Sequence, residues 1–187
     1  MQNLAVFALL SILAPLASAQ HQTFTVTPGA SDVKITLNTT HEVVHGVFHV
    51  QSGSIEFDRN DPKISGSVVV SAGSGKTGNG TRDKRMNKEI LKVEQYTAIS
   101  FAPSSYAGEI VPSGDSTIQV TGIFKLLDVP HQITVPMVVH TEGKTATAKT
   151  HFTIPYVQWG LKDPSLLFWR ADKDVSIDLT LIGQLSN

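Results

Sequence analysis

The sequence predicts an all-β fold, an antiparallel sandwich or closed barrel with one short helix. Three observations point there. Apolar residues recur at every second position in successive runs, turn sequences separate the runs, and no βαβ rhythm interrupts them. At 187 residues, the chain suits one domain with a single core.

The first element is a targeting segment. Residues 4–13 form an uncharged, mostly apolar run, and Ala17-Ser18-Ala19 supplies the small residues that signal peptidase reads. The run is shorter than the roughly 20 apolar residues a membrane-spanning helix needs. Met1-Gln2-Asn3 contains no Lys or Arg, so only the α-amino group is positive there. The expectation is a signal peptide at residues 1–19 and a domain at 20–187, with no membrane-spanning segment in the mature chain.

Val33, Ile35 and Leu37 open the alternation. His41, His45 and His49 recur every fourth residue, a metal-binding spacing on a helix. The intervening Val43, Val44, Val47 and Phe48 predict a strand instead, on which four residues span about 13 Å, too far for two imidazoles to share an ion. Parity turns Val44, Phe48 and Val50 inward and the histidines outward. Ser52-Gly53-Ser54 reads as a strand-end turn, followed by Ile55 and Phe57. After the turn Asn60-Asp61-Pro62, residues Ile64, Gly66, Val68 and Val70 share one face.

Ser74-Gly75-Lys76-Thr77 ends like a phosphate-binding loop, but Val70 stands where that motif needs glycine, so the glycines are read as a flexible turn. Residues 81–91 then switch period. Met86, Ile90 and Leu91 lie on one helical face, Thr81 is placed to cap the start, and Met86 and Ile90 would turn inward across a barrel opening.

Alternation resumes around Phe101, then in Ile118, Val120, Phe124 and Leu126, and again in Ile133, Val135, Met137 and Val139. Turn sequences at Pro112-Ser113-Gly114-Asp115 and Glu142-Gly143-Lys144 separate these runs. Ala146, Ala148, Thr150, Phe152 and Ile154 form the next run, and Val175, Ile177, Leu179 and Leu181 the last. Between them lies an irregular segment with Tyr156, Trp159, Phe168 and Trp169, which reads either as a plug in one barrel end or as a rim that meets an apolar ligand.

Composition narrows the chemistry. The chain carries 15 basic and 16 acidic residues, a formal net charge of −1, without the positive excess that nucleic-acid binding requires. It contains no cysteine, so its core must hold the fold without disulfides. That also removes thiol catalysis and cysteine-based metal sites. No Gly-x-Ser-x-Gly elbow occurs, and the carboxylates fall at turns or on polar strand faces. Neither a catalytic residue nor a metal or cofactor site is predicted.

Four blocks together resemble the YceI family of polyisoprenoid-binding proteins. They are His45-Gly46-Val47-Phe48 with Gly53-Ser54-Ile55-Glu56-Phe57-Asp58; Thr77-Gly78-Asn79 with Arg82-Asp83, Met86, Leu91, Tyr96 and Ile99-Ser100-Phe101; Val120-Thr121-Gly122-Ile123-Phe124-Lys125-Leu126 with Ile133-Thr134-Val135-Pro136; and Phe152-Thr153-Ile154-Pro155 with Trp159-Gly160-Leu161 and the closing strand. The chain departs from the family pattern at Thr97, Lys125 and Asp128, where Pro, Thr and Gly are common. The resemblance implies a lipocalin-like antiparallel barrel of about eight strands with one helix, in a periplasmic protein without catalytic residues that holds a long isoprenoid in an apolar tunnel.

On that reading the tunnel wall comprises Ile35, Leu37, Phe48, Phe57, Val68, Phe101, Val120, Phe124, Met137, Ala146, Ala148, Phe152 and Ile154. Tyr156, Trp159, Phe168 and Trp169 form its rim. Small residues at inward positions (Gly66, Gly122, Ala146, Ala148 and Thr150) either leave space for a ligand or allow close packing of neighbouring strands. Two other functions remain open: a stress or protein-interaction module with a vestigial tunnel, and a hydrolase using a histidine at the barrel mouth. An exposed edge strand could also pair two chains into a homodimer.

Overall fold

The computed structural model describes residues 21–187. The expected leader at residues 1–19, its cleavage after Ala19 and the new terminus at Gln20 lie outside the described residues.

Nine strands follow in order: β1 (His21–Val26), β2 (Asp32–Asn38), β3 (Val43–Asp58), β4 (Asp61–Ser71), β5 (Ala98–Ala107), β6 (Gly114–Leu126), β7 (Val129–Glu142), β8 (Thr145–Ile154) and β9 (Val175–Ser186). All pairings are antiparallel. Both β1 and β2 lie between β3 and β9, end to end, separated by the 3-10 turn Pro28–Ala30. Pairing of β3 with β4 closes the ring, so nine strands fill the eight positions of a closed barrel. Closure shortens the free strand edges through which two chains could pair.

β1 carries only Phe24 and Val26 as apolar markers, too few for the alternation to announce it. β3 corrects the turn expected at Ser52-Gly53-Ser54. It is one 16-residue strand whose register slips between Val50 and Ser52. The extra residue of this bulge moves the inward face from even-numbered Phe48 and Val50 to odd-numbered Ile55 and Phe57.

One barrel end carries the short connections 59–60, 108–113 and 143–144, with Ile110 facing the cavity. The other carries two long connections, residues 72–97 and 155–174. The first contains α1 (Gly80–Arg85), which widens into a π-helical turn at Met86–Ile90. Its cap is Asn79 rather than Thr81: the Asn79 Oδ1 accepts from the backbone N–H groups of Thr81 and Arg82 at 3.0 and 3.1 Å. Nor is the preceding Ser74–Thr77 stretch a loose turn. Lys76 exchanges both backbone hydrogen bonds with Val47 of β3, and the Ser74 hydroxyl accepts from the His49 N–H.

Candidate functional site

Inward side chains of the strands do not fill the barrel. They surround a cavity of about 260 Å³, far above the 10–15 Å³ or so that one trapped water requires. The wall draws on every strand: Phe24 from β1, Ile35 and Leu37 from β2, Phe48 and Phe57 from β3, Val68 from β4 and Phe101 from β5. Val120 and Phe124 of β6, Met137 of β7, Ala146, Ala148, Phe152 and Ile154 of β8, and Leu179 and Leu181 of β9 complete it. The thirteen side chains placed on the wall from parity therefore all reach this one space.

Among the described residues, no charged side chain lines the cavity. Its polar lining is confined to Ser100, Thr141, Thr150 and Tyr156. Thr150 is 7% exposed, and its hydroxyl has no hydrogen-bond partner among the described residues. The Tyr156 hydroxyl donates to the Asp172 carbonyl at 2.7 Å, and burial, reinforced by Asp163, Asp172 and Asp174, pushes its pKa up to about 12. Tyr156 is thus a neutral, anchored part of the wall.

The small inward residues divide. Ala146, Ala148 and Thr150 border the cavity. Gly66 and Gly122 do not. A Cβ on Gly122 would meet the Ala102 carbonyl oxygen at 2.5 Å and the Phe101 ring at 2.7 Å, and one on Gly66 (φ +108°) would meet the Ser54 carbonyl oxygen at 2.1 Å. These glycines allow strands to approach closely, so at Gly66 and Gly122 close packing is the reading that holds.

Two lids close the end with long connections. Met86, Ile90 and Leu91 of the helical segment face the cavity. So do Tyr156, Leu161 and Pro164 of the β8–β9 loop. That loop lies where the wall is incomplete. The β7–β8 ladder ends at Val138–Lys149, so residues 129–137 and 150–154 do not pair with each other. Pro130 and Pro136 fall in the unpaired part of β7, and proline cannot donate the ladder hydrogen bonds needed there. Over this seam Trp159 stacks on His131, ring centroids 3.9 Å apart, and leans on Phe124 at 5.8 Å.

The four rim aromatics accordingly separate. Tyr156 is wall, Trp159 covers the seam, and Phe168 and Trp169 lie beyond the cavity lining, with Phe168 exposed to solvent. Sequence reasoning missed Leu161 and Pro164 because no period runs through the loop, and missed Phe24 with the whole of β1.

Outside the barrel, His45 and His49 point to solvent from β3, and His41 is exposed just before it. No group of three or more potential metal-donor side chains occurs among the described residues. His140 and His151 pair with Asp115 and Asp178 at 2.7 and 2.8 Å, on the exposed outer wall. Among the described residues, no helix is long and apolar enough to cross a membrane.

A closed, lidded β-barrel around an uncharged cavity defines the class: a lipocalin-like barrel with an apolar interior. A family model described as the YceI-like domain matches residues 24–182, and the chain belongs to that family. Among solved structures, Burkholderia cenocepacia BcnA is similar at 18% identity and TM-score 0.70, over 84% of this chain and 99% of that one. A polyisoprenoid binding domain from Saccharophagus degradans, implicated in plant cell wall breakdown, matches at 16% identity and TM-score 0.68, over 87% and 98%. The Campylobacter jejuni YCEI protein matches at 17% identity and TM-score 0.57, over 73% and 81%. No curated protein matches in sequence.

Proposed function

We propose that this protein is a binder rather than an enzyme, exported to the periplasm, where it stores or carries a long apolar lipid of the isoprenoid type. The observation that carries the reading is the cavity: about 260 Å³ inside the barrel, with no charged side chain among the described residues of its wall. Such a wall selects by shape and apolar contact. The printed description of the Saccharophagus degradans domain as polyisoprenoid-binding supports the same ligand class.

Magnitudes favour a long chain. Burying three isoprene units, at about 0.8 kcal/mol per carbon, gains about 12 kcal/mol gross. Lost translational and rotational freedom opposes this by about 4–15 kcal/mol, and ordering of the chain adds to the cost. A short fatty acid would leave little surplus. A hydrolase is disfavoured because, among the described residues, no histidine lines the cavity: His131 at the seam is covered by Trp159, and the histidine–aspartate pairs lie outside the barrel.

Organic extraction of the purified protein followed by mass spectrometry tests the reading. A stoichiometric isoprenoid or comparable lipid is expected, and repeated extraction of none would overturn it. For export, the intact mass of protein recovered from the periplasm should correspond to a chain beginning at Gln20. Retention of Met1, or recovery only from cytoplasm, would refute that part.

A further inference from the structure

The β8–β9 loop ends in a tight turn that displays apolar side chains outward. Leu166 and Trp169 exchange both backbone hydrogen bonds, at 2.8 and 2.7 Å, leaving Leu167 and Phe168 at the tip. These two are 92% and 89% exposed, and Leu166 is exposed beside them. Leu167 has φ +42°, a left-handed conformation that a bulky residue adopts only under constraint.

The turn is braced. The Thr40 N–H donates to the Arg170 carbonyl at 2.9 Å, the Arg170 N–H donates to the Thr40 hydroxyl at 3.2 Å, and the Ala171 N–H donates to the Ser165 hydroxyl at 3.0 Å. Three large apolar residues are therefore held in water at one convex point.

Charge concentrates beside them. Residues 76–92 contain six of the chain's 15 Lys and Arg (Lys76, Arg82, Lys84, Arg85, Lys88 and Lys92), against only Asp83 and Glu89. Lys84, Lys88 and Lys92 are exposed and have no acidic partner among the described residues. The loop itself is balanced, with Lys162, Arg170 and Lys173 against Asp163, Asp172 and Asp174. Lys162 ties it to the basic segment through Glu89 at 2.6 Å, and Arg82 reaches the β2–β3 turn through Glu42 at 2.7 Å. That turn also supports the apolar tip through Thr40.

We propose that this lidded end docks on an anionic lipid bilayer. Leu166, Leu167 and Phe168 enter the headgroup–acyl boundary while the lysines of the helical segment meet lipid phosphates. The inference rests on the apolar-lipid reading, because a carrier must meet the surface from which its cargo comes. A bilayer suits the geometry better than a protein groove. A soft interface accepts a convex point with no shaped pocket, and Trp169 and Arg170 beside the tip are residue types that sit well at headgroup level. The same loop contributes Leu161 and Pro164 to the cavity wall, so docking would act directly on the lid.

Flotation with phosphatidylcholine vesicles, with and without phosphatidylglycerol, tests the proposal. Wild type should float with the anionic vesicles and lose binding as salt rises. The Leu167→Ser/Phe168→Ser variant should bind at least about tenfold more weakly, with unchanged melting temperature and unchanged extractable lipid. Lys84→Gln/Lys88→Gln should remove much of the salt dependence. Ala148→Phe, which blocks the cavity, should still float, so failure of the lipid reading and failure of docking give different results. Wild type that floats with neither vesicle, or a tip variant that floats like wild type, would overturn the proposal. So would wild-type self-association abolished by the tip variant without any flotation.

Discussion

Asp83 shows how one buried carboxylate can fix a lid. Its Oδ1 accepts from the Thr77 N–H at 2.9 Å and from the Thr77 hydroxyl at 2.7 Å. The Arg82 guanidinium in turn holds the Thr77 hydroxyl and carbonyl, at 2.8 and 2.9 Å. Loss of the carboxylate strands two donors, so Asp83→Ala should lower stability by about 1.5–3 kcal/mol, measured by urea unfolding. Asp128 makes the opposite case. Leu127 and Asp128 form a two-residue hairpin turn with φ of +51° and +59°. Glycine removes the left-handed penalty but frees the unfolded chain, so Asp128→Gly should stabilise by only about 0.5 kcal/mol. A small rise in melting temperature is the expected result.

At the scale of elements, the β8–β9 loop can be watched alone, since Trp159 and Trp169 are the only two tryptophans. Hydrogen bonding from Lys173, aided by Ser165, lowers the Asp163 carboxyl from 3.8 to about 2. A folded-state pKa below the unfolded one gives stability that is complete above the unfolded value and lost as pH falls through the folded value. The loop should therefore loosen between about pH 4 and 2, seen as a change in tryptophan emission. Glu89, lowered chiefly by Lys162, acts in the same direction. In Asp163→Asn the Lys173 tie is already weakened at neutral pH, and the acid-induced change should shrink. Identical pH profiles for the two proteins would show that this pair does not hold the loop.

At the scale of the molecule, the question is whether the interior is ligand space. Ala148 borders the cavity between Val139 and Leu181 on the neighbouring strands. If the space receives lipid, Ala148→Phe fills it, and lipid recovered from the protein should fall sharply while the melting temperature holds. If side chains close that space in solution, the same substitution overpacks a core and costs about 1–3 kcal/mol. Thermal melting and quantitative extraction from one preparation separate the two. Loss of stability, with no lipid on wild type, would count against the carrier reading.

By itself the sequence determined the all-β class, most strands and the inward face, because strand side chains alternate with period two whatever the strand's neighbours. Hence Phe48, Val120, Ala148 and Phe152 could be placed on one wall before their partners were known. What lacks a period was decided by tertiary structure. The parity change within β3 could come from a turn or a bulge, and only its continuous pairing with β4 chose the bulge. Small inward residues could mean space or contact. The approach of Ala102 and Phe101 made Gly122 a contact, while the open space in front of Ala148 made it a boundary of the cavity. The 155–174 loop has neither a helical nor a strand repeat, so the different places of Tyr156, Trp159 and Phe168 followed from what each meets in space: the Asp172 carbonyl, the His131 ring and water.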